Sequence, residues 1–392
     1  MEIVTETEKL IDEKLRALLK VDKEAWTLDE WVLGLYSIYR KHDIKSMPSD
    51  IWLQVVNDAS QLAEEVRREN YKPVSNEEGV LRQAVKMFCW MCCFVGKYTH
   101  EKAQDLGVND SIGISLVTSH SSDDFAGGDE TYSKWIVLKF PGVCPVCGNS
   151  PCLCPSYAEM VENRKVDPRY EKFKGEWSKN IENAKREFNK SENTKDFRTK
   201  SLNQLIKFFS DIYGGVHLQM NLDRICFHLL EEVGEVSDEL LYLNLLKQYQ
   251  EDELDKKFKP VFYESKGRIQ GISPKLDEQV NKVSAEKSGE ALGEALFEFI
   301  RTSNIENLKG ELADVFSWLC AVLHKLDCLI KPGVVKDRPG SFSFSRQIEN
   351  HYKNFHGDFA CPVCEKAKCD KLCLLKNLTA KILNKKNKKL SS

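Results

Sequence analysis

Two stretches of helix-period sequence constrain this chain most. From Leu222 onward the apolar residues Ile225, Cys226, Leu229, Val233, Val236, Leu240 and Leu243 recur every three or four positions, the spacing that lines one face of an α-helix. Leu312, Val315, Phe316, Leu319, Val322, Leu323 and Leu326 repeat the pattern downstream. At about 100° per residue, Glu232, Glu235 and Glu239 share one flank of the first stripe with Asn221 and His228, and Glu311 and Asp314 share a flank of the second. Two helices packed by these stripes would aim acids spaced i, i+3 into one pocket. Carboxylates gathered in this way repel one another unless a cation lies among them. An all-oxygen, multiply anionic set suits Mg²⁺ or Mn²⁺ rather than zinc or copper, and helix bundles hold metals in this manner. The alternative on spacing alone is a pair of acidic, solvated helix faces.

Glu231-Glu232-Val-Gly-Glu235 followed by Glu311-Leu-Ala-Asp314 resembles the two motif halves of the MazG-type all-α nucleotide pyrophosphohydrolases. The resemblance spans residues 201–328 and implies a helical bundle that cleaves a nucleoside triphosphate to the monophosphate and pyrophosphate. It further implies that Glu232, Glu235, Glu311 and Asp314 hold Mg²⁺, with Glu231 supporting them or acting as base. His228, Asn221, Arg224 and Lys325 are the candidates for touching the base or phosphates of the substrate. Phe208, Phe209, Tyr213 and Trp318 could stack on a base, and core packing accounts for them equally well. The connection between the motif halves, with an insertion at 247–309, is much longer than the family usually has. No P-loop and no nucleophile elbow occurs, so ATPase and serine-hydrolase chemistry find no support.

An internal repeat runs through the chain. Leu62-Ala-Glu64-Glu65-Val66-Arg67-Arg68 aligns with Leu229 to Glu235, and Phe88-Cys89-Trp90-Met91-Cys92 aligns with Phe316-Ser317-Trp318-Leu319-Cys320. Tyr36-Ser37-Ile38-Tyr39 parallels Ser210-Asp211-Ile212-Tyr213, and Cys144-Pro-Val-Cys147 parallels Cys361-Pro-Val-Cys364. The copies differ where the chemistry would lie. Arg68, Gln83 and Lys86 stand in the first copy where Glu235, Glu311 and Asp314 stand in the second. Arg68 and Lys86 repel a divalent cation and are expected to pair with Glu64 and Glu65, leaving the first copy catalytically silent.

Two cysteine clusters follow the two copies. Cys144-x2-Cys147-x4-Cys152-x-Cys154 and Cys361-x2-Cys364-x4-Cys369-x3-Cys373 each concentrate thiolates of the kind that hold tetrahedral Zn²⁺, and an iron–sulfur cluster is the open alternative. With every coordination position filled by protein, each site is expected to be structural. His351 and His356 are expected to pack or face solvent.

The fold class expected is mainly α: two repeated MazG-like helical bundle units, each followed by a small zinc-binding knuckle. Residues 1–156 make the degenerate copy with its knuckle at 144–154, and 157–200 a charged helical linker. Residues 201–375 make the copy expected to be active, with its insertion and a knuckle at 361–373, and 376–392 a basic tail. Helices are expected over 5–20, from a Thr27-Leu-Asp-Glu30 capping box, from Pro48 to Asn70 and from Val80 to Tyr98. A strand is expected at Lys134–Phe140 and a loop at 119–130. The net charge of −3 with 30% charged residues offers no global basic field, so nucleic acid is not expected as a partner. No apolar run is long enough to span a bilayer, the start lacks a signal-peptide pattern, and the cysteine usage fits a reducing cytoplasm. The expected partners are a nucleoside triphosphate, the second copy within the chain, and a further copy or another protein. Against the enzyme stands a non-catalytic nucleotide- or protein-binding scaffold with structural zinc.

Overall fold

The computed structural model describes residues 15–43, 46–71, 77–105, 131–144, 148–152, 199–251, 290–329, 343–353 and 359–362, with the positions 179, 182–184, 186, 366 and 369. The expected helix at 5–20 falls largely outside them, as do the loop at 119–130, most of the 157–200 linker, the tail 376–392 and His356. The described residues are mainly helical, as the periodicity requires, and no helix among them is long and apolar enough to cross a membrane. After a 3-10 turn at Lys23–Ala25 come α1 (Leu28–Asp43), α2 (Pro48–Tyr71), α3 (Glu77–Asp105), α4 (Tyr132–Lys139), α5 (Leu202–Gln219), α6 (Leu222–Glu251), α7 (Glu290–Leu329) and α8 (Phe344–Tyr352).

Residue packing divides the chain into one unit of 1–233 with 313–392 and another of 234–312. The division crosses the unbroken helices α6 and α7. In the first unit α3 packs on α2 and α1. Trp31, Val32, Leu35 and Ile38 of α1, Val55, Leu62 and Val66 of α2, and Val80, Phe88, Cys92 and Val95 of α3 are buried there. Burying such side chains stabilises by roughly 1.5–3 kcal/mol each. Gly96 marks the closest approach, because a Cβ at that position would stand 2.6 Å from the Tyr36 side chain. The stripes of α6 and α7 are buried from Ile225 to Val233 and from Val315 to Leu326. The second unit holds the rest of those helices, with Val236, Leu240, Leu308 and Leu312 buried.

The segment Lys134–Phe140, expected as a strand, lies in the helix Tyr132–Lys139, with Phe140 as its C-cap. Thr131 caps it by accepting the Lys134 N–H, and the β-branched and aromatic run sits with Tyr132, Ser133, Trp135, Ile136 and Val137 buried. A cap and burial on nearly every side outweigh the strand preference of Trp, Ile and Val. Of the expected insertion at 247–309, residues 252–289 lie outside the described residues. Helix α6 continues to Glu251 and α7 already runs from Glu290, so Ala291–Ile300 is helical as its pattern indicates.

Several contacts occur in matching pairs. Thr27 and Glu30 exchange two hydrogen bonds at the start of α1, and Ser201 and Gln204 do the same at the start of α5. Thr27 and Ser201 form an antiparallel bridge with each other. At equal separations from those caps, the carbonyls of Ile38 and Ile212 accept the N–H groups of Cys369 and Cys152, each at 2.7 Å. Cys144 N donates to Asn149 O and Cys361 N to Lys366 O, both at 3.0 Å. Ser133 N donates to Asp29 at 3.0 Å, and Ser345 N to Asn203 at 3.3 Å. Tyr132 meets Phe316 at 5.9 Å between ring centroids, Phe344 meets Phe88 at 5.5 Å, and Phe88 and Phe316 face each other at 6.5 Å.

Candidate metal centre

Glu232 lies on α6 and Asp314 on α7, both in the first unit. One carboxylate oxygen from each, with one from Glu311 a turn before Asp314 on the same unbroken helix, lie within 4.8 Å of one another. All three side chains are half-buried. The helices bring them there because the apolar stripes turn inward and the acids ride on the adjoining flank. Glu232 is fixed by Trp318, whose indole Nε1–H donates to Oε1 at 3.2 Å. A further hydrogen bond, from Trp52 Nε1 to the Val233 carbonyl at 3.3 Å, holds α6 next to Glu232. Asp314 is in direct contact with the Lys139 ammonium, which arrives from the end of α4.

Glu235 is exposed and is not one of the three clustered acids. Glu239, on the same α6 flank, behaves differently. Its Oε1 accepts from Asn307 at 3.4 Å, while Oε2 is buried without a hydrogen-bond partner. Burial raises its pKa, and the nearby Glu311, Asp238 and Glu235 add to that rise against the Asn307 hydrogen bond. Burial and the acidic neighbours thus favour the neutral form of Glu239.

Glu231 is exposed, with Oε2 3.2 Å from His228 Nδ1. The His228 ring stacks on Trp318 at 4.6 Å and 17° between planes. His217 packs on the same indole at 5.5 Å and stacks on Tyr213 at 5.4 Å. Burial, with the charges of His324 and His228, pushes its pKa down to about 4. Its ring is therefore neutral at neutral pH. With one indole face covered by His228, Trp318 serves the site as a hydrogen-bond donor to Glu232. Phe209 is buried against Phe316 at 5.8 Å, which makes it a core residue. Phe208 and Tyr213 are half-buried and pack on Phe209.

The remaining substrate candidates stand further off. At about 1.5 Å of rise per residue, Asn221 is about 16 Å and Arg224 about 12 Å from Glu232 along α6. Asn221 is exposed where the helix starts. Lys325 donates to the Leu218 carbonyl at 2.8 Å, capping the end of α5, so its ammonium already has a structural task.

The corresponding place on α2 carries internal countercharge. Arg68 reaches Glu64 and Glu65 at 3.1 Å each, and Arg67 holds Glu64 at 2.7 Å. Gln83 is buried, with Oε1 left without a partner. Burial, with the charges of Lys86 and Arg82, keeps the His351 imidazole pKa below its usual value.

Of the cysteine clusters, Cys144, Cys152, Cys361 and Cys369 are described, Cys152 half-buried and the other three buried. Cys147, Cys154, Cys364 and Cys373 lie outside the described residues. Gly148, at φ 66°, donates its N–H to the Cys144 carbonyl at 2.8 Å, the tight turn that a Cys-x2-Cys pair requires. Of Glu232, Glu235, Glu311 and Asp314, which the spacing was expected to gather, the first, third and fourth converge, and the spacing gave no sign of Lys139 or of the hydrogen bond from Trp318. A comparison with protein-family models, curated proteins and solved structures found no match to this chain.

Proposed function

We propose that the chain is a Mg²⁺- or Mn²⁺-dependent pyrophosphohydrolase that cleaves an NTP or dNTP to the monophosphate and pyrophosphate. The observation that carries this reading is the convergence of Glu232, Glu311 and Asp314 within 4.8 Å. The donor set fits the ion: every ligand atom is a carboxylate oxygen. When bound, the divalent ion would offset phosphate charge and acidify water at the α-phosphorus.

The chain's own groups divide the remaining work. Glu232, Glu311 and Asp314 hold the ion, and Trp318 keeps Glu232 in place. Glu235 joins them on the resemblance, its side chain turning in from an exposed position. Glu231, with His228 beside it, accepts the proton as water attacks the α-phosphorus. The bridging α–β P–O bond breaks and pyrophosphate leaves.

The same reading extends to the plan of the molecule. Residues 1–156 and 201–375 are two copies of one helical unit, joined by 157–200 and paired within the chain. The matching caps, the Thr27–Ser201 bridge and the Phe88–Phe316 contact support this. Each copy ends in a Zn²⁺ knuckle, and the first copy is silent because Arg68 fills its acidic pair. One observation favours a second reading, a nucleotide- or protein-binding scaffold: Lys139 supplies Asp314 with a cation from the protein itself. Incubation with Mg²⁺ and a panel of NTPs and dNTPs, followed by pyrophosphate detection, separates the two. The enzyme releases pyrophosphate from at least one of them, and release from none supports the scaffold.

A further inference from the structure

Lys139 reaches the acid cluster from a helix far away in sequence, and its support is built on both sides. Upstream, Thr131 caps α4, Ser133 bonds the Asp29 carboxylate through both N–H and Oγ, and Tyr132 packs edge-on to Phe316 of α7. Downstream, Phe140 is clamped edge-on against Phe209 at 5.1 Å and Tyr213 at 6.2 Å. A lysine held only by solvent would need none of this. Its side chain is 29% exposed and that of Asp314 19%, so the pair is shielded but reachable. The matching position on α8 carries the opposite arrangement. There His351 stands the same distance from its Ser343 cap and faces Lys86 and Arg82. The cation of α4 is thus matched to the copy that kept its acids.

We infer that Lys139 neutralises Asp314 in the metal-free protein and moves onto the substrate's phosphates when the divalent ion arrives. The inference rests on the metal-dependent reading proposed for this site. An ammonium and a divalent cation on one carboxylate repel each other, so the ion's arrival weakens the lysine's hold on Asp314, and the lysine has a flexible four-carbon stem on which to move. The polyphosphate held at the ion is the nearest new anion, and a lysine binds phosphate as a point charge. Lys139 therefore competes with the metal alone and assists the metal–nucleotide complex.

The test is Mn²⁺ binding by electron paramagnetic resonance, without nucleotide, in the full chain and in Lys139→Met, which keeps the stem and drops the charge. The expected result is Mn²⁺ binding about fivefold tighter in the variant, because a competing cation has gone. At saturating metal, KM for the nucleotide should rise about tenfold in Lys139→Met, more than kcat falls, with Lys139→Arg restoring much of it. Equal Mn²⁺ affinity in the two proteins, or a tighter-binding variant whose KM stays the same, overturns the inference and leaves the metal site standing. Mn²⁺ binding to neither protein overturns both.

Discussion

His217 shows how a single side chain near the site sets a pH dependence. Its folded pKa of about 4 lies below the ordinary 6.5, so between those limits the unfolded chain binds the extra proton. Stability therefore rises with pH through that window and falls as the pH drops from about 6.5 to about 4, by about 3 kcal/mol in total. Asp43, whose carboxyl burial pushes up to about 7 against the effect of Lys97, acts in the opposite sense. Its stabilisation is present in acid and is lost as the pH rises toward 7. Comparing denaturant unfolding of the wild type and His217→Gln at pH 4.5 and 6.5 cancels the Asp43 contribution, which both proteins share. The variant should lose the part of the slope due to His217, and identical slopes would show that His217 titrates normally. At this scale Glu232, Glu311 and Asp314 were legible because i, i+3 spacing on a periodic helix is local information. Lys139 was not, since nothing near it in sequence says that α4 ends against Asp314.

Elements were legible where pattern and cap agreed. The Thr27–Glu30 box and the stripes of α6 and α7 appear as read, because capping and amphipathicity favour the same state. Lys134–Phe140 misled because β-branched and aromatic side chains fill a helix when most of its faces are buried, and burial is set by distant residues. The Cys152 N–H donates to the Ile212 carbonyl of α5, while the Cys369 N–H donates to the Ile38 carbonyl of α1. If the cysteine clusters are the proposed zinc knuckles, each fastens the proposed copy it does not belong to. Elemental analysis should find one zinc per knuckle, and its chelation should lower the melting temperature and loosen α1 and α5 in hydrogen exchange. A metal-free chain with the same melting temperature would contradict this.

At the scale of the whole molecule, the proposed duplication places two related helical units in one chain and leaves acids suited to metal in only one. The proposed duplication rests first on the ordered matches of sequence. The bridge of Thr27 with Ser201 and the facing rings of Phe88 and Phe316 became visible only with the fold, because contacts between equivalent residues leave no local signature. In the N-terminal copy Arg67 and Arg68 already satisfy Glu64 and Glu65, so losing one of those acids should cost turnover nothing beyond a small change in surface charge. In the C-terminal copy the loss of Glu232 removes a ligand from the cluster. The most direct measurement is Mg²⁺-dependent pyrophosphate release by the wild type, Glu65→Ala and Glu232→Ala, each checked for folding by circular dichroism. The account predicts that Glu65→Ala stays within about twofold of the wild type while Glu232→Ala falls by about a hundredfold or more. Equal losses in the two variants would contradict it.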